Sequence, residues 1–491
     1  MNGREKSDPA VVAAKPANEA ASAVEERVEP RAGTKGNASG QSTHRTQSRD
    51  GVSQALDRVR TKARERKTER FTALLHHIDD ELLRASFLAI QRDSAPGVDG
   101  VRWKDYAADL DRNLTDLRDR IHRGAYRALP SRRVYIPKAD GRQRPLAVAA
   151  LEDKIVQRAA ATVLEAIYEE DFLGFSYGFR PGRGPHDALD ALAVAITTRK
   201  VNFILDADIQ AFFDRVSHEW LMRLVEQRVG DTRMLRLILK WLKVGVLEDG
   251  VVKPGELGTG QGSVISPLLA NVYLHYAFDL WAADWRTREA KGDMIIVRYA
   301  DDIVVGFQYE ADARRFWGDM GIRLAEYALT LHPEKTRLIE FGRFAAKDRA
   351  RRGLGKPETF NFLGLTHICG RSRRGFFQLR RHTRADRLRA KLKAIKVELM
   401  RRRHEPIPKQ GRWLGQVVGG FFGYHAVPTN TAALSAFRHH VTNLWMRALR
   451  RRSQKDRFTW VGLARLAADF LPKPLIRHPW PSTRFAATHP R

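Results

Sequence analysis

Three aspartates carry the most specific chemistry this chain offers. Asp301 and Asp302 stand between two β-branched runs, Ile295-Ile296-Val297 and Ile303-Val304-Val305, the pattern of a hairpin with two carboxylates at its tip. Aspartate is also a favoured turn residue, and an isolated Asp-Asp pair more often caps a loop than binds a ligand. That reading weakens because Asp208 closes a second apolar strand, Phe203-Ile204-Leu205-Asp206-Ala207-Asp208-Ile209. If the two strands lie side by side, three carboxylates meet at one sheet end. At about 4 Å each pair would repel by roughly 4 kcal/mol at an effective dielectric of 20, so a cation must sit among them. Hard oxygen ligands select Mg²⁺ or Mn²⁺. Two such ions about 3.5–4 Å apart would stabilise the attacking and leaving oxygens of an in-line phosphoryl displacement. The carboxylates therefore read as metal ligands and not as acid–base groups.

Composition narrows the partner. The 491 residues hold 86 Lys+Arg against 57 Asp+Glu, a formal charge of +29, and a field of that sign attracts a polyanion by releasing its condensed counterions. A hydrophobic share of 43% excludes wholesale disorder. The length favours two or three packed units. Cys369 is the one cysteine, which excludes an intrachain disulfide and a cysteine-based zinc site. No run of about 18 apolar residues occurs and no signal pattern opens the chain, so the expectation is a soluble, cytoplasmic protein with no membrane partner.

The elements that must position the aspartates follow from punctuation and periodicity. Residues 1–50 contain no Phe, Trp, Tyr, Leu or Ile and read as a disordered tail, with a basic helix predicted over 52–72. Residues 129–146 read as a basic hairpin turning at Ala139-Asp140-Gly141, residues 151–168 as a helix, and 201–209 and 294–307 as strands. Ser266-Pro267 reads as the N-cap and first turn of a helix whose buried stripe is Leu268, Val272, Tyr276 and Leu280. Leu388, Leu392, Ile395 and Leu399, then Leu434, Phe437, Val441, Leu444 and Ala448, recur at helical spacing, with a third segment near 413–424 between them. The predicted fold class is an α+β body followed by a basic α-helical bundle.

Several ordered strings resemble bacterial group II intron reverse transcriptases, also called intron maturases: LDADIQAFFDRVSH at 205–218, GTGQGSVISPLLANVYL at 258–274, YADD at 299–302 and LHPEKT at 331–336. Upstream, APGVDGV at 95–101, VYIPKADGRQRPL at 134–146 and FSYGFRP at 175–181 look like further blocks of that family. The ordered set spans roughly residues 70 to 480. The resemblance implies a right-hand polymerase architecture: an N-terminal extension and fingers over 51–200, a palm over 201–380 with a reverse transcriptase core near 118–366, and a helical thumb and maturase region over 381–491. It also implies no HNH endonuclease module, since the cysteine pairs of that module are missing.

The same resemblance assigns roles. Asp208, Asp301 and Asp302 become the metal-binding triad. Lys138 and Arg144 take fingers positions that grip an incoming triphosphate, as guanidinium and ammonium groups can. Phe213 takes the aromatic position against the sugar 2′ carbon, where its bulk would select dNTP over NTP; the competing reading is a core Phe beside Phe212, one of the two facing inward if they lie on a strand. Gln261 lies by the nascent base pair, in a loop where Gly260 replaces the usual proline and should loosen it. Lys335 is either the general acid for departing pyrophosphate or a surface lysine.

Arg132, Arg133 and Arg142 read as template contacts or solvated charge. In the bundle, Arg401, Arg402, Arg403, Arg450 and Arg451 would track RNA phosphates, while the aromatics interleaved with them mostly fill its core. The implied partners are group II intron RNA, an RNA template with a DNA primer, and dNTPs, with a homodimer allowed and a nucleoid or ribonucleoprotein setting. The resulting expectation is an RNA-directed DNA polymerase with maturase activity. Two readings stand beside it: an RNA-binding maturase without polymerase activity, and a domesticated reverse transcriptase in phage defence or DNA repair.

Overall fold

A computed structural model describes residues 44–137, 143–248, 251–253, 255, 257–260, 262–452 and 459–488. The described residues belong to one compact unit. A helix already runs over His44–Glu65, taking in residues 44–50 of the predicted tail and ending before the predicted 72; residues 1–43 lie outside the described part. Arg64 Nε, near the helix's C-terminal end, donates to Glu170 at 2.9 Å, tying this helix to the one at Leu151–Asp171.

Two strands, β1 (Ser131–Pro137) and β2 (Gln143–Val148), pair antiparallel in the predicted basic hairpin. The next strand in the chain, β3 (Phe203–Asp208), belongs to a different sheet. Beyond it β4 (Val246–Glu248) and β5 (Val251–Lys253) extend the first sheet in the order β2-β1-β4-β5, through a short parallel pairing of Ser131 with Val246 and Arg132 with Leu247. The central sheet collects β3, β6 (Met294–Tyr299), β7 (Asp302–Phe307) and β8 (Arg337–Glu340) in the order β6-β7-β3-β8, all antiparallel. A third, three-stranded sheet follows: β9 (Phe360–Phe362), β10 (Leu365–Arg371) and β11 (Phe377–Thr383).

The central sheet is covered on both faces, which explains its nearly continuous apolar strands. Leu205, Ala207, Ile296, Ile303, Val305 and Phe307 join the larger core with the helices. Alternate residues Ile204, Ile295, Val297, Val304 and Ile339 face a second core that includes Phe341, Phe360 and Leu365. The period of two therefore assigns each strand residue to one of two interiors. Gly306 is required by this packing: a Cβ there would lie 2.6 Å from Ile295 Cγ1 and 3.0 Å from Val201 Cγ1.

Two sequence expectations fail in this region. The helix from Ser266 is preceded by Ile265 at the cap position, and Ser266 is its first residue. Its Oγ donates to the Gly260 carbonyl at 3.3 Å instead of capping the helix. The predicted stripe also breaks: Leu268 and Val272 are buried, Tyr276 is half-buried, and Leu280 is 43% exposed. The cause is a π-helical segment, His275–Asp279, between α-helical Ser266–Leu274 and Leu280–Arg288. Wider winding shifts the phase of everything after it and turns the Asp279 carboxylate into the core.

The C-terminal part holds the three predicted helices, Ala385–Arg401, Ile407–His425 and Thr431–Arg450, and two that the spacing did not reveal, Trp460–Phe470 and Pro481–Thr488. Phe422, Phe437 and Trp445 are fully buried in their common core, in line with the packing role expected for most of these aromatics. Among the described residues no helix is long and apolar enough to cross a membrane. Substituting Gly306→Ala is expected to lower stability by about 1–3 kcal/mol through overpacking, read as a lower urea midpoint with an unchanged slope.

Candidate active site

The register of the central sheet brings the aspartates together. Asp208 pairs directly opposite Asp302 across β3 and β7, and Tyr299 pairs with Asp302 across the β6–β7 hairpin. Directly opposed residues on antiparallel strands share a face, so the Asp208 and Asp302 side chains leave the sheet on one side. Ala300 and Asp301 form the two-residue loop. Ala300 has φ 55°, the positive value that tight hairpin loops favour and that costs an L-residue roughly 1–2 kcal/mol.

That loop is held from below by Arg298, whose side chain is completely buried. Its Nη1 donates to the Ala300 carbonyl and to Asn271 Oδ1, both at 3.0 Å. Its Nε donates to Asp279 Oδ1 at 2.7 Å and its Nη2 to Ser176 Oγ at 2.7 Å. The remaining Asp279 oxygen closes a bidentate ion pair. Gly178 presses on the loop from the other side: a Cβ there would lie 2.2 Å from the Ala300 nitrogen. Its carbonyl accepts from Asn271 Nδ2 at 2.7 Å. The 175–181 block thus supports the acidic turn directly.

Asp302 is exposed at its edge, yet the protein around it and the neighbouring Asp301, Asp208 and Asp206 push its carboxyl up to about 7; desolvation is the largest cause. Burial also raises Asp206, partly offset by Arg337. Lys335 Nζ sits 3.1 Å from Asp208 Oδ2, so the one ammonium of the LHPEKT block occupies the position of a counter-ion. The block is fastened there by His332 N donating to the Asp208 carbonyl at 2.7 Å and by the Thr336 hydroxyl, 3.3 Å from the Asp208 nitrogen. Among the described residues no three His, Cys, Asp or Glu side chains form a finished metal cage. The donor chemistry nevertheless fits a hard divalent cation: carboxylate oxygens at one sheet end, one of them held back from ionising by burial first and by its acidic neighbours second.

Phe212 and Phe213 lie in a short helical turn, Phe212–Arg215, entered through Ala211 at φ 48°, and not on a strand. Phe212 is 2% exposed while Phe213 is half-buried, so the division between an inward and an outward ring arises from helical geometry. The glycine loop reaches this turn closely. Gly258, at φ 83°, would place a Cβ 2.7 Å from the Phe213 carbonyl, and Thr259 N donates to that carbonyl at 2.9 Å. On its far side Gln157, buried in the helix Leu151–Asp171, accepts from Ser263 Oγ at 2.8 Å and Val264 N at 3.0 Å. The loop lacks a proline at Gly260 but is pinned at both ends. A cleft of about 270 Å³ opens here, lined by Arg133, Ala147, Phe213 and residues 258–260 among others.

Residues 136–367 match the family described as reverse transcriptase (RNA-dependent DNA polymerase). The chain is 36% identical over 276 residues to "Protein YkfC" of Escherichia coli strain K12, covering 50% of this chain and 72% of that protein. The chain belongs to the reverse transcriptase family. It is also 32% identical over 226 residues to the group II intron-encoded protein LtrA of Lactococcus lactis subsp. cremoris, covering 45% of this chain and 37% of that one. A shorter match, 32% over 119 residues, is to nuclear intron maturase 1, mitochondrial, of Arabidopsis thaliana. Two of these relatives are named as an intron-encoded protein and an intron maturase, as the sequence resemblance expects, and the chain spans well under half of each.

The other residues singled out from this family's motifs fall as follows. Lys138, Arg142 and Gln261 lie outside the described residues, and of Arg144 only the backbone is described, paired with Ile136. Arg132 donates to the Pro96 carbonyl at 2.9 Å, which ties the 95–101 block to β1. Arg401 and Arg402 both bond Glu398, and Arg402 lies over the Trp413 ring at 5.1 Å; Arg403 donates to His404. Arg450 is exposed 6.0 Å from the Trp460 ring, and Arg451 is exposed. Sequence reasoning missed Arg298, Asp279, Gly178 and Gln157. A charged residue flanked by an apolar run, as Arg298 is in β6, was the available signal.

Replacing Arg298→Met should destabilise the protein by about 3–5 kcal/mol, because Asp279 is left buried and unpaired. Adding Asp279→Leu should recover much of that loss, read from denaturant midpoints. The raised Asp302 carboxyl has a definite sign. Between about pH 4 and 7 the folded state keeps a proton that the unfolded chain has lost, so stability falls as pH rises through that window. The metal-free unfolding free energy should therefore drop from pH 5 to pH 7.5, read from denaturant midpoints, and Asp302→Asn should shrink that drop by an amount on the order of 1 kcal/mol, given the exposure of the group.

Proposed function

We propose that the chain is an RNA-directed DNA polymerase that extends a primer by two-metal phosphoryl transfer and that it binds group II intron RNA as a maturase. The observation that carries this reading is the pairing of Asp208 opposite Asp302 at the tip of the YADD hairpin. Asp208, Asp301 and Asp302 would hold Mg²⁺ or Mn²⁺, which supplies charge neutralisation for the triphosphate and primer oxygens. The protein's own part is positioning. Arg298 fixes the turn, and Lys335, whose ammonium lies beside Asp208, would protonate the departing pyrophosphate.

In this reading the β1–β2 hairpin forms fingers over the triphosphate through Lys138 and Arg144, and Phe213 blocks a 2′-hydroxyl from the cleft it lines. The central sheet is the palm and the C-terminal helices the thumb. The charge of +29 suits a template–primer duplex and structured RNA. Arg132, Arg133, Arg142, Arg401, Arg403, Arg450 and Arg451 would contribute to that field; Arg402, packed on Trp413, contributes more to the bundle. The names of the relatives, an intron-encoded protein and an intron maturase, support the RNA partner.

Primer extension on an RNA template with dNTPs and Mg²⁺ tests the assignment. Activity should vanish on chelation and fall by several orders of magnitude in Asp301→Ala; extension unchanged in that variant would overturn the reading. Phe213→Ala should raise incorporation of ribonucleotides relative to deoxyribonucleotides by about tenfold or more, a discrimination of at least 1.4 kcal/mol, measured as the ratio of kcat/KM values.

A further inference from the structure

The hairpin of β10 and β11 carries charge that nothing in the fold uses. Its root is packed, with Leu365 and Leu379 buried in the core beneath the central sheet, but its tip projects into solvent. There Ser372 N donates to the Phe376 carbonyl at 2.8 Å and Gly375 N to the Ser372 carbonyl at 3.0 Å. Gly375 adopts φ 83°, so this tight turn has a defined backbone. Arg373 and Arg374 occupy its two corners and are exposed. Phe376, immediately after, is 71% exposed.

One further arginine, Arg380, follows Phe376 at even spacing along β11, whereas Arg371 pairs with Phe377 and so belongs to the other face. Arg380 lies flat across Gly370, where a Cβ would come within 2.6 Å of its Nε, and its Nη2 donates to the Arg371 carbonyl at 2.7 Å. Residues 365–385 contain no Asp or Glu. Among the described residues Arg371, Arg373, Arg374 and Arg380 form no ion pair, whereas Arg401 and Arg402 of the bundle are held by Glu398. The exposed guanidinium groups of Arg373 and Arg374 at the turn, and that of Arg380 beyond it, have no acidic partner among the described residues. With the exposed ring of Phe376 they match the two features of unpaired RNA, phosphates and an open base face. A single ring offers too little apolar area for a lipid surface.

We propose that this hairpin tip is a docking site for RNA bearing an unpaired base, with Arg373, Arg374 and Arg380 on its phosphates and the base stacked on Phe376. The inference rests on the RNA-binding part of the proposed function and adds a site outside the acidic cleft. Because the turn is already formed, little ordering is needed on binding.

Fluorescence anisotropy with the full chain tests it, using a short stem–loop RNA and a fully paired RNA duplex of equal length. Phe376→Ala should weaken binding of the stem–loop about tenfold and leave the duplex unchanged, and Phe376→Tyr should retain wild-type affinity for both. The double variant Arg373→Glu with Arg374→Glu should weaken both RNAs and reduce the slope of log affinity against log salt by roughly 1.4, from about 0.7 per phosphate. Unchanged stem–loop affinity in Phe376→Ala, equal loss on both RNAs, or an unchanged salt slope would each overturn the proposal. Wild-type primer extension, assayed in parallel, reports separately on the polymerase reading.

Discussion

One buried guanidinium holds the acidic end of the sheet in place. Arg298 is sealed from water, and an unpaired charge in that position would cost several kcal/mol. Its partners come from three separate stretches: Asp279 and Asn271 on one helix, Ser176, and the carbonyl of Ala300. Satisfying it therefore requires the helix, the 175–181 block and the hairpin to be assembled at once. The strained Ala300 persists because that assembly over-determines it. Stability and function meet at this residue: the contacts that complete the core also fix the direction in which Asp301 and Asp302 leave the sheet.

Electrostatics on the opposite side of the turn run the other way. Beneath it Arg298 and Asp279 are paired; above it burial, and after it the neighbouring Asp301, Asp208 and Asp206, leave Asp302 reluctant to ionise. Lys335 lies beside Asp208. A rigid, satisfied foundation under a deliberately repulsive surface is the arrangement expected where a ligand of opposite charge is to be admitted. The glycine loop repeats the logic. Gly258 and Gln157 fasten it to the Phe213 turn and to the long helix, leaving the cleft between them open.

What could be read from sequence follows a physical divide. The acidic hairpin, the strand of Asp208 and the helix at Leu151–Asp171 were legible because alternating or helical apolar patterns report local geometry directly. The convergence of Asp208 with Asp302 was legible because strand pairing carries a register. Arg298 was not, since one charge within an apolar strand has meaning only once its distant partners are in place. The Phe212–Phe213 pair was assigned to a strand because the turn at Ala211 depends on a positive φ that alanine does not advertise. The helix at Leu280 was misphased for a similar reason: no residue type announces a π segment.

That segment sets the direction in which the long helix presents its acid. Between Ser266 and Arg288 the helix serves two masters, presenting Asn271 from its first part and Asp279 from its widened turn. Rewinding 275–279 as ordinary α-helix with the same number of residues would swing the acid about 100° around the axis and strand the arginine. The widened turn is therefore held open by the ion pair it serves.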